Sequence, residues 1–309
     1  MQLVLAPSNL GLSPLHDGHI PGTWRAPEAL MDVGLGRVVN YSHLHSLPRP
    51  DYCPEAQEGT RIRNGHAIRA YDLVLGETVG TICKSGEFAL VIGGDCSLLL
   101  GGLVGARQIG PVSLVHIDGH SDFRHPRNYD PTAVLSGAAG MDLALATGRG
   151  EPLLTVWSGV SGPLVSDGNV IQIGERESHD PDFAWPDIAD TAIEQVDIFE
   201  AQKIDPSGLS QRIHDVLLRA REQSFWIHFD VDVMDQAIMP AVDCPGSPGL
   251  SPQYLIQILS PLVSSARCLG MTLTIYDPDR VMILIGIQQD NVPRRSSIFF
   301  ANYHSDEYV

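Results

Sequence analysis

Short, nearly continuous apolar runs alternate with longer helical stretches along this chain, and that alternation limits its fold more than any other feature. The runs are Leu3–Ala6, Ala89–Gly93, Val112–Asp118, Val170–Gly174, Phe225–Asp232 and Met271–Tyr276. Apolar residues at successive positions suit strands covered on both faces. Between the runs lie the predicted helices Ala67–Lys84, Ser97–Gln108, Met141–Ala146, Leu209–Gln223 and Pro252–Ser265. In the fourth, Ile213, Val216, Leu217 and Ala220 keep a helical spacing and form an apolar stripe. Ser251-Pro252 reads as the cap and first residue of the fifth. The alternation predicts an α/β fold, with a mainly parallel central sheet and helices on both faces. No repeat, low-complexity tract or linker divides the chain, so residues 1–309 read as one domain. Residues 7–27, rich in Pro, Gly and His, read as a long loop, a common place for function. The tail from Ile287 to Val309 has no strong periodicity.

Charge and cysteine usage narrow the function classes. The 37 acidic residues outnumber the 20 basic ones, for a net charge of -17. Such a chain repels nucleic acid and anionic membranes, and it suits a site that collects cations. Solubility alone would also account for the acidity. No stretch approaches the roughly 20 apolar residues of a membrane span. The amino terminus lacks the basic and apolar segments of a signal peptide. The five cysteines are odd in number, widely spaced and without a CxxC pair. A reducing, cytoplasmic setting is therefore expected rather than a disulfide framework.

In parallel α/β sheets, ligands gather beyond the carboxyl ends of the strands. Four predicted strands end in polar clusters there: Gly93-Gly94-Asp95-Cys96-Ser97, Asp118-Gly119-His120-Ser121-Asp122, His228-Phe229-Asp230-Val231-Asp232 and Tyr276-Asp277-Pro278-Asp279. Asp118, His120 and Asp122 lie at i, i+2 and i+4, and an extended segment would project them to one face; Asp230 and Asp232 share the i, i+2 spacing. One such pair could simply cap a turn. Four carboxylates and an imidazole facing one spot are unfavourable unless a cation sits among them. Hard oxygen ligands with one imidazole suit Mn2+. Two ions held close together share a hydroxide, a nucleophile near neutral pH.

These clusters resemble the motifs of the arginase, or ureohydrolase, family, which includes arginases, agmatinases and formimidoylglutamases. The family is marked in order by G-G-D-H-S, D-A-H-x-D and S-x-D-x-D-x-x-D-P. Gly22, Ala26-Pro27, Leu30 and Gly34-Leu35 resemble its amino-terminal pattern, and the likeness runs to about Asp279. It implies a three-layer α/β/α fold and two divalent ions, expected to be Mn2+. Carried over by position, Asp118 and Asp230 bridge both ions, Asp122 and Cys96 complete one site, and His120 and Asp232 complete the other. A hydroxide shared by the ions attacks the guanidino carbon of arginine or a derivative, whether free, N-hydroxylated or within a peptide. Urea or hydroxyurea and an ornithine-type amine leave. Homo-oligomers also occur in the family. The alternatives are a same-fold hydrolase of another C–N bond, formimino or amide, and a metal-binding relative without catalysis.

The chain departs from the family in three places. Cys96 stands where the family has histidine, and a soft thiolate suits Mn2+ poorly. That site is then weaker, prefers an ion such as Zn2+ or Fe2+, or takes no ligand from a merely buried Cys96. A hydroxyarginine amidinohydrolase of antibiotic biosynthesis is similar in having cysteine there. Ser136-Gly137-Ala138-Ala139-Gly140 lacks the proton-shuttling histidine, for which His125 or His116 could substitute. Aligning on Pro278 places Ile275 at the glutamate that grips a guanidinium and a slipped alignment places Thr272 there; neither is acidic, and Asp277 and Asp279 are the nearest acids. Arg124 could bind a carboxylate or phosphate. Ser136 and Asp180 fall near the positions that hold a substrate's carboxylate and amino groups. Glu175, Arg176 and Glu177 end another strand and are expected near the same mouth. Asp122 and His125 are the catalytic candidates, and Arg124, Ser136, Asp180 and Asp277 the substrate-binding ones.

Overall fold

The structure, a computed structural model, describes residues 1–132, 135–181, 183–219 and 224–280. Residues 220–223 of the fourth predicted helix and the carboxy-terminal tail lie outside the described residues. Among the described residues eight strands are present: β1 (Gln2–Ala6), β2 (His43–Ser46), β3 (Ala89–Gly93), β4 (Val112–Ile117), β5 (Val170–Ile173), β6 (Glu194–Val196), β7 (Ser224–Asp230) and β8 (Cys268–Thr274). They form one parallel sheet in the order β2-β1-β3-β8-β7-β4-β5-β6. The helices among the described residues are α1 (Ala26–Asp32), α2 (Leu35–Val38), α3 (Gly65–Lys84), α4 (Leu98–Ala106), α5 (Asp142–Ala146), α6 (Pro152–Thr155), α7 (Ile198–Ala201), α8 (Pro206–Arg219) and α9 (Pro252–Val263).

Alternation along each strand divides the core into two layers. Leu114, Val170 and Trp226 face α3, α4, α5 and α6. Their neighbours Val115, Ile171 and Ile227 face α7, α8 and α9. Both faces of the sheet are thus covered, in the three-layer α/β/α arrangement the sequence predicts. No helix among the described residues is long and apolar enough to cross a membrane.

Two strands escaped the sequence reading. The β2 sequence His-Leu-His-Ser is mostly exposed at a sheet edge, and β6 has only three residues at the other edge. Neither contains the apolar run by which a buried strand is recognised. The inner strands also stop earlier than predicted. β4 ends at Ile117 and β7 at Asp230, after which Val231–Val233 form a 3-10 turn. Asp230 causes that turn: its carboxylate Oδ1 accepts the backbone N–H of Asp232 at 2.8 Å. β8 ends before Ile275, whose φ of 72° breaks the extended backbone.

Strand order fixes the position of the site. The chain leaves β3, skips two places to β4, proceeds outward through β5 and β6, and returns to fill the gap with β7 and β8. The carboxyl ends of β3, β8, β7 and β4 therefore lie side by side at the centre, where connections diverge and leave a crevice.

Candidate metal centre

The Gly-Gly pair after β3 lets the backbone approach the loop after β1. A Cβ on Gly94 would lie 1.6 Å from the Ser8 carbonyl oxygen, so only glycine fits. Ser8 Oγ then donates to Asp95 Oδ2 at 2.6 Å, and the Ser97 N–H donates to Asp95 Oδ1 at 3.0 Å. Asp95 thus anchors the turn, and Cys96 is delivered to the centre of the sheet. Its thiol donates to Asp230 Oδ2 at 2.7 Å and lies 3.3 Å from Thr274 Oγ1. Burial first, then the charge of Asp230, pushes the Cys96 pKa well above the ordinary thiol value.

The residues after β4 meet without the extended geometry expected of them. Asp118 Oδ1 accepts the His120 N–H at 2.7 Å, which curls the loop, and Asp122 has a φ of 46°. His120 Nδ1 lies 2.9 Å from Asp232 Oδ2 and 3.7 Å from Asp118 Oδ1. Asp232 Oδ1 accepts the Gly119 N–H at 3.0 Å. Curled loop and 3-10 turn bring together the ligand atoms of Asp118, His120 and Asp232, a group able to hold an ion. Cys96 groups with Asp118, Asp230 and His228, while Asp122 groups with Cys96 and Asp142 and, separately, with His116 and Asp118.

The electrostatics follow from burial. Asp122 and Asp230 are pushed well above the carboxylate range, first by desolvation and then by neighbouring aspartates. Desolvation also acts on Asp232, but His120 outweighs it and holds Asp232 below that range. His120 is correspondingly raised against its own burial by Asp232. Asp118 Oδ2 is buried without a hydrogen-bond partner. Crowded carboxylates that either take up protons or face an empty partner are what a divalent ion would satisfy. The donor set fits such ions.

A cavity of about 410 Å3 opens over this cluster. Cys96, His120, Asp122, Asp230 and Asp232 form part of its lining. Arg124 lines it too, with its guanidinium 5.2 Å from the Trp185 ring centroid. So does Ile275. The loop after β1 contributes Gly11, Leu12 and Ser13; it is shorter than predicted, because a 3-10 turn begins at Thr23 and α1 at Ala26.

Other expected residues lie elsewhere. His125 is buried with Nε2 2.8 Å from Asp187 Oδ2, and it is outside the cavity lining. Burial lowers its pKa against the pull of Asp187. Asp277 accepts the N–H groups of Gly22 and Asp279, as a turn residue does. Asp180 is exposed, ends a 3-10 turn and is outside the cavity lining, and Ser136 is buried beside Gly137, which does line the cavity. Glu177 lines the wall, where it accepts from the N–H and Oγ of Ser121. Its neighbours Glu175 and Arg176 instead brace the backbone: Glu175 accepts the N–H of Glu177, and Arg176 donates to the Asp232 carbonyl. Asp243 and Cys244 also line the cavity and were missed, because they sit in an irregular loop with no motif. His116, His228 and Asp142 form a buried polar group next to Asp118, and the sequence reading singled out neither Asp142 nor the chemistry of His228.

The comparisons agree with this architecture. The arginase family model matches residues 19–280. The arginase of Bacillus caldovelox is 28% identical over 227 residues, covering 72% of this chain and 68% of that relative. The arginase of Entamoeba histolytica, solved with L-ornithine, superposes with a TM-score of 0.75 at 20% identity, over 90% of this chain and 92% of that one. A proclavaminate amidino hydrolase from Streptomyces clavuligerus superposes with a TM-score of 0.64 at 18% identity, over 90% and 83% of the two chains. Family homologues are hydrolases of C–N bonds in amidines. With its family model matched across nearly all the described residues, the chain belongs to the arginase family.

Proposed function

We propose that the protein is a metal-dependent amidinohydrolase acting on the guanidino group of arginine or an arginine derivative, free, N-hydroxylated or within a peptide. It releases urea or hydroxyurea and an ornithine-type amine. The observation that carries this reading is the placement of Asp122, His120, Asp230 and Asp232 on the surface of an open cavity, with Asp118 beneath. Cys96, Asp118, Asp122 and Asp230 would hold one divalent ion, and Asp118, His120, Asp230 and Asp232 the other. The hard carboxylates favour Mn2+, while Cys96 favours a softer ion on its side. When bound, the pair supplies a nucleophile from water near neutral pH.

The remaining residues handle the substrate. Glu177 and Asp243 give the cavity wall two further acids that can meet a planar cation. Burial raises the pKa of Glu177, which suits it to carry a proton toward the departing amine. Arg124 offers a fork of donors to an anionic end of the substrate, and the Trp185 ring holds the guanidinium plane. His125 bears on the reaction through Asp187 and the loop of residues 123–128, not by contact. The five free cysteines fit a reducing, cytoplasmic setting.

One observation favours a second reading. Ile275 puts an apolar side chain on the wall where a glutamate would grip a guanidinium, so a less basic formimino or amide C–N bond would lose less there. Metal-loaded protein should therefore be assayed for urea, hydroxyurea, formamide and ammonia across guanidino acids, hydroxyguanidines, arginine peptides, formimino compounds and amides. Urea or hydroxyurea release that disappears in Asp230→Ala is the expected result. Formamide from formimino substrates, or ammonia from amides, without urea or hydroxyurea would establish the second reading, and no turnover with metal bound would overturn both.

A further inference from the structure

Behind the metal centre, on the face of the sheet covered by α4 and α5, a row of polar side chains interrupts the apolar core. His116 on β4, His228 on β7 and Thr272 on β8 are register partners across three adjacent strands. One step earlier on the same face stand Leu114 and Trp226, ordinary core residues. The family motif has serine where His228 stands. The two imidazoles stack with centroids 5.0 Å apart, and both are fully buried. Asp142, at the start of α5 and also fully buried, closes the group. Its Oδ1 lies 3.2 Å from His116 Nε2, and its Oδ2 lies 3.3 Å from His228 Nε2. Asp118 Oδ2 lies 4.0 Å and 3.9 Å from the same two nitrogens.

Hydrogen bonding fixes what His228 presents. Thr272 Oγ1 donates to the Ile227 carbonyl and receives the Trp226 Nε1–H. With its proton committed, it accepts from His228 Nδ1 at 2.9 Å. In the neutral ring, Nε2 is then a bare lone pair. That lone pair faces Asp142 Oδ2 and Asp118 Oδ2, and none of the three atoms has a hydrogen-bond partner. Three acceptors converging in a core that excludes water are costly unless a cation lies among them. A histidine whose second nitrogen is pinned by a hydrogen bond is also the usual form of a metal ligand.

We propose that His116, His228 and Asp142, with the inner oxygen of Asp118, form a separate divalent-metal position buried behind the cavity. Two imidazoles and two carboxylates suit Zn2+ or an ion of similar character. The ligand atoms of His116, His228 and Asp142 lie within 4.8 Å of one another, with Asp118 Oδ2 3.9 to 4.0 Å from the two imidazole nitrogens; the His116 Nε2–Asp142 Oδ1 hydrogen bond of the ion-free protein would give way to the ion. None of His116, His228 and Asp142 lines the cavity, so the ion ties β4, β7 and α5 together and fixes Asp118 from behind. It also offsets a fifth aspartate, Asp142, added to Asp118, Asp122, Asp230 and Asp232. This buried ion is independent of any hydrolase activity.

The test is the metal content of the full chain, purified from cells grown with added Zn2+ and dialysed in its native state against a chelator. The wild type should keep about one Zn2+ per chain, because the position has no opening to the cavity. His120→Ala, which disrupts the outer cluster, should keep it as well. His228→Ser, His116→Gln and Asp142→Asn should each lose it. Retention in those three variants, or a wild type that never contains the ion, would overturn the inference. So would loss in His228→Ser alone, since His228 would then serve the Cys96 cluster. X-ray absorption of the retained Zn2+ reads the wild type directly, should the variants fail to fold: nitrogen and oxygen neighbours are expected, and a sulfur neighbour would move the ion to Cys96. Absence of guanidine hydrolysis would leave this ion in place and count only against the proposed function.

Discussion

Replacing Cys96 with histidine should raise the affinity for Mn2+ and reduce its dependence on pH. In the ion-free protein the thiol donates to Asp230 Oδ2 at 2.7 Å, so its proton must leave before sulfur can bind a metal. An ordinary thiol, with a pKa of 9.0, lies two units above pH 7, which costs about 2.7 kcal/mol of binding, or roughly 100-fold in affinity. Burial and Asp230 push the Cys96 pKa in the same direction. A neutral imidazole pays no such cost at neutral pH, and Mn2+ prefers it to sulfur. Against this stands overpacking: the position is buried, and the larger ring should cost about 1–3 kcal/mol of stability. Calorimetric Mn2+ titrations between about pH 6.5 and pH 8.5 should show Cys96→His binding about 100-fold tighter at pH 7, with about one fewer proton released per ion. Equal affinity and an equal pH slope in the two proteins would place Cys96 outside the coordination sphere and refute the argument.

Further outcomes follow from the same geometry. Asp122 and Asp230 have folded pKa values raised above their unfolded ones, so their contribution to ion-free stability is full at low pH and is lost as pH rises through the raised values. Chelator-treated protein should therefore melt at a lower temperature at about pH 8 than at about pH 5, and added metal should raise the melting temperature more at the higher pH; calorimetry showing the opposite trend would remove the repulsive cluster from the account. Arg124→Ala should raise KM for substrates with a free carboxylate about 10–100-fold, with kcat little changed, given about 1.5–3 kcal/mol for a charge-assisted hydrogen bond; an unchanged KM would mean that the substrate's anionic end lies elsewhere. Gly94→Ala, whose Cβ meets the Ser8 carbonyl at 1.6 Å, should shift the loop carrying Cys96 and lower both melting temperature and metal content; wild-type values for both would show that the loop tolerates the movement.

What was legible in the sequence depended on burial and spacing. Apolar runs located the six inner strands because both faces of each are covered, whereas β2 and β6 sit at the edges and need no such run. Asp118, His120, Asp122, Asp230 and Asp232 were legible as a group because they follow strands that end at one place. Their local geometry was not: the contacts of Asp118 with the His120 N–H and of Asp230 with the Asp232 N–H make turns where strand alternation was expected. His125 stands close to Asp122 in the chain, yet its imidazole turns to Asp187, sixty-two positions away, which no local spacing encodes. Asp243 reaches the cavity from a loop, and Asp142 reaches the buried histidines from a helix start. Both meetings arise from tertiary packing, and neither residue belongs to a pattern that periodicity or motif could reveal.

The central claim is a pair of ions held between Asp118 and Asp230 beneath an open cavity. Crystals grown with Mn2+ and examined by anomalous scattering test it most directly. Two peaks about 3.5–4 Å apart are expected, one bordered by Cys96 and Asp122 and the other by His120 and Asp232, both absent in Asp230→Ala. A fully loaded crystal with no peak within bonding distance of Asp118 and Asp230 would contradict it.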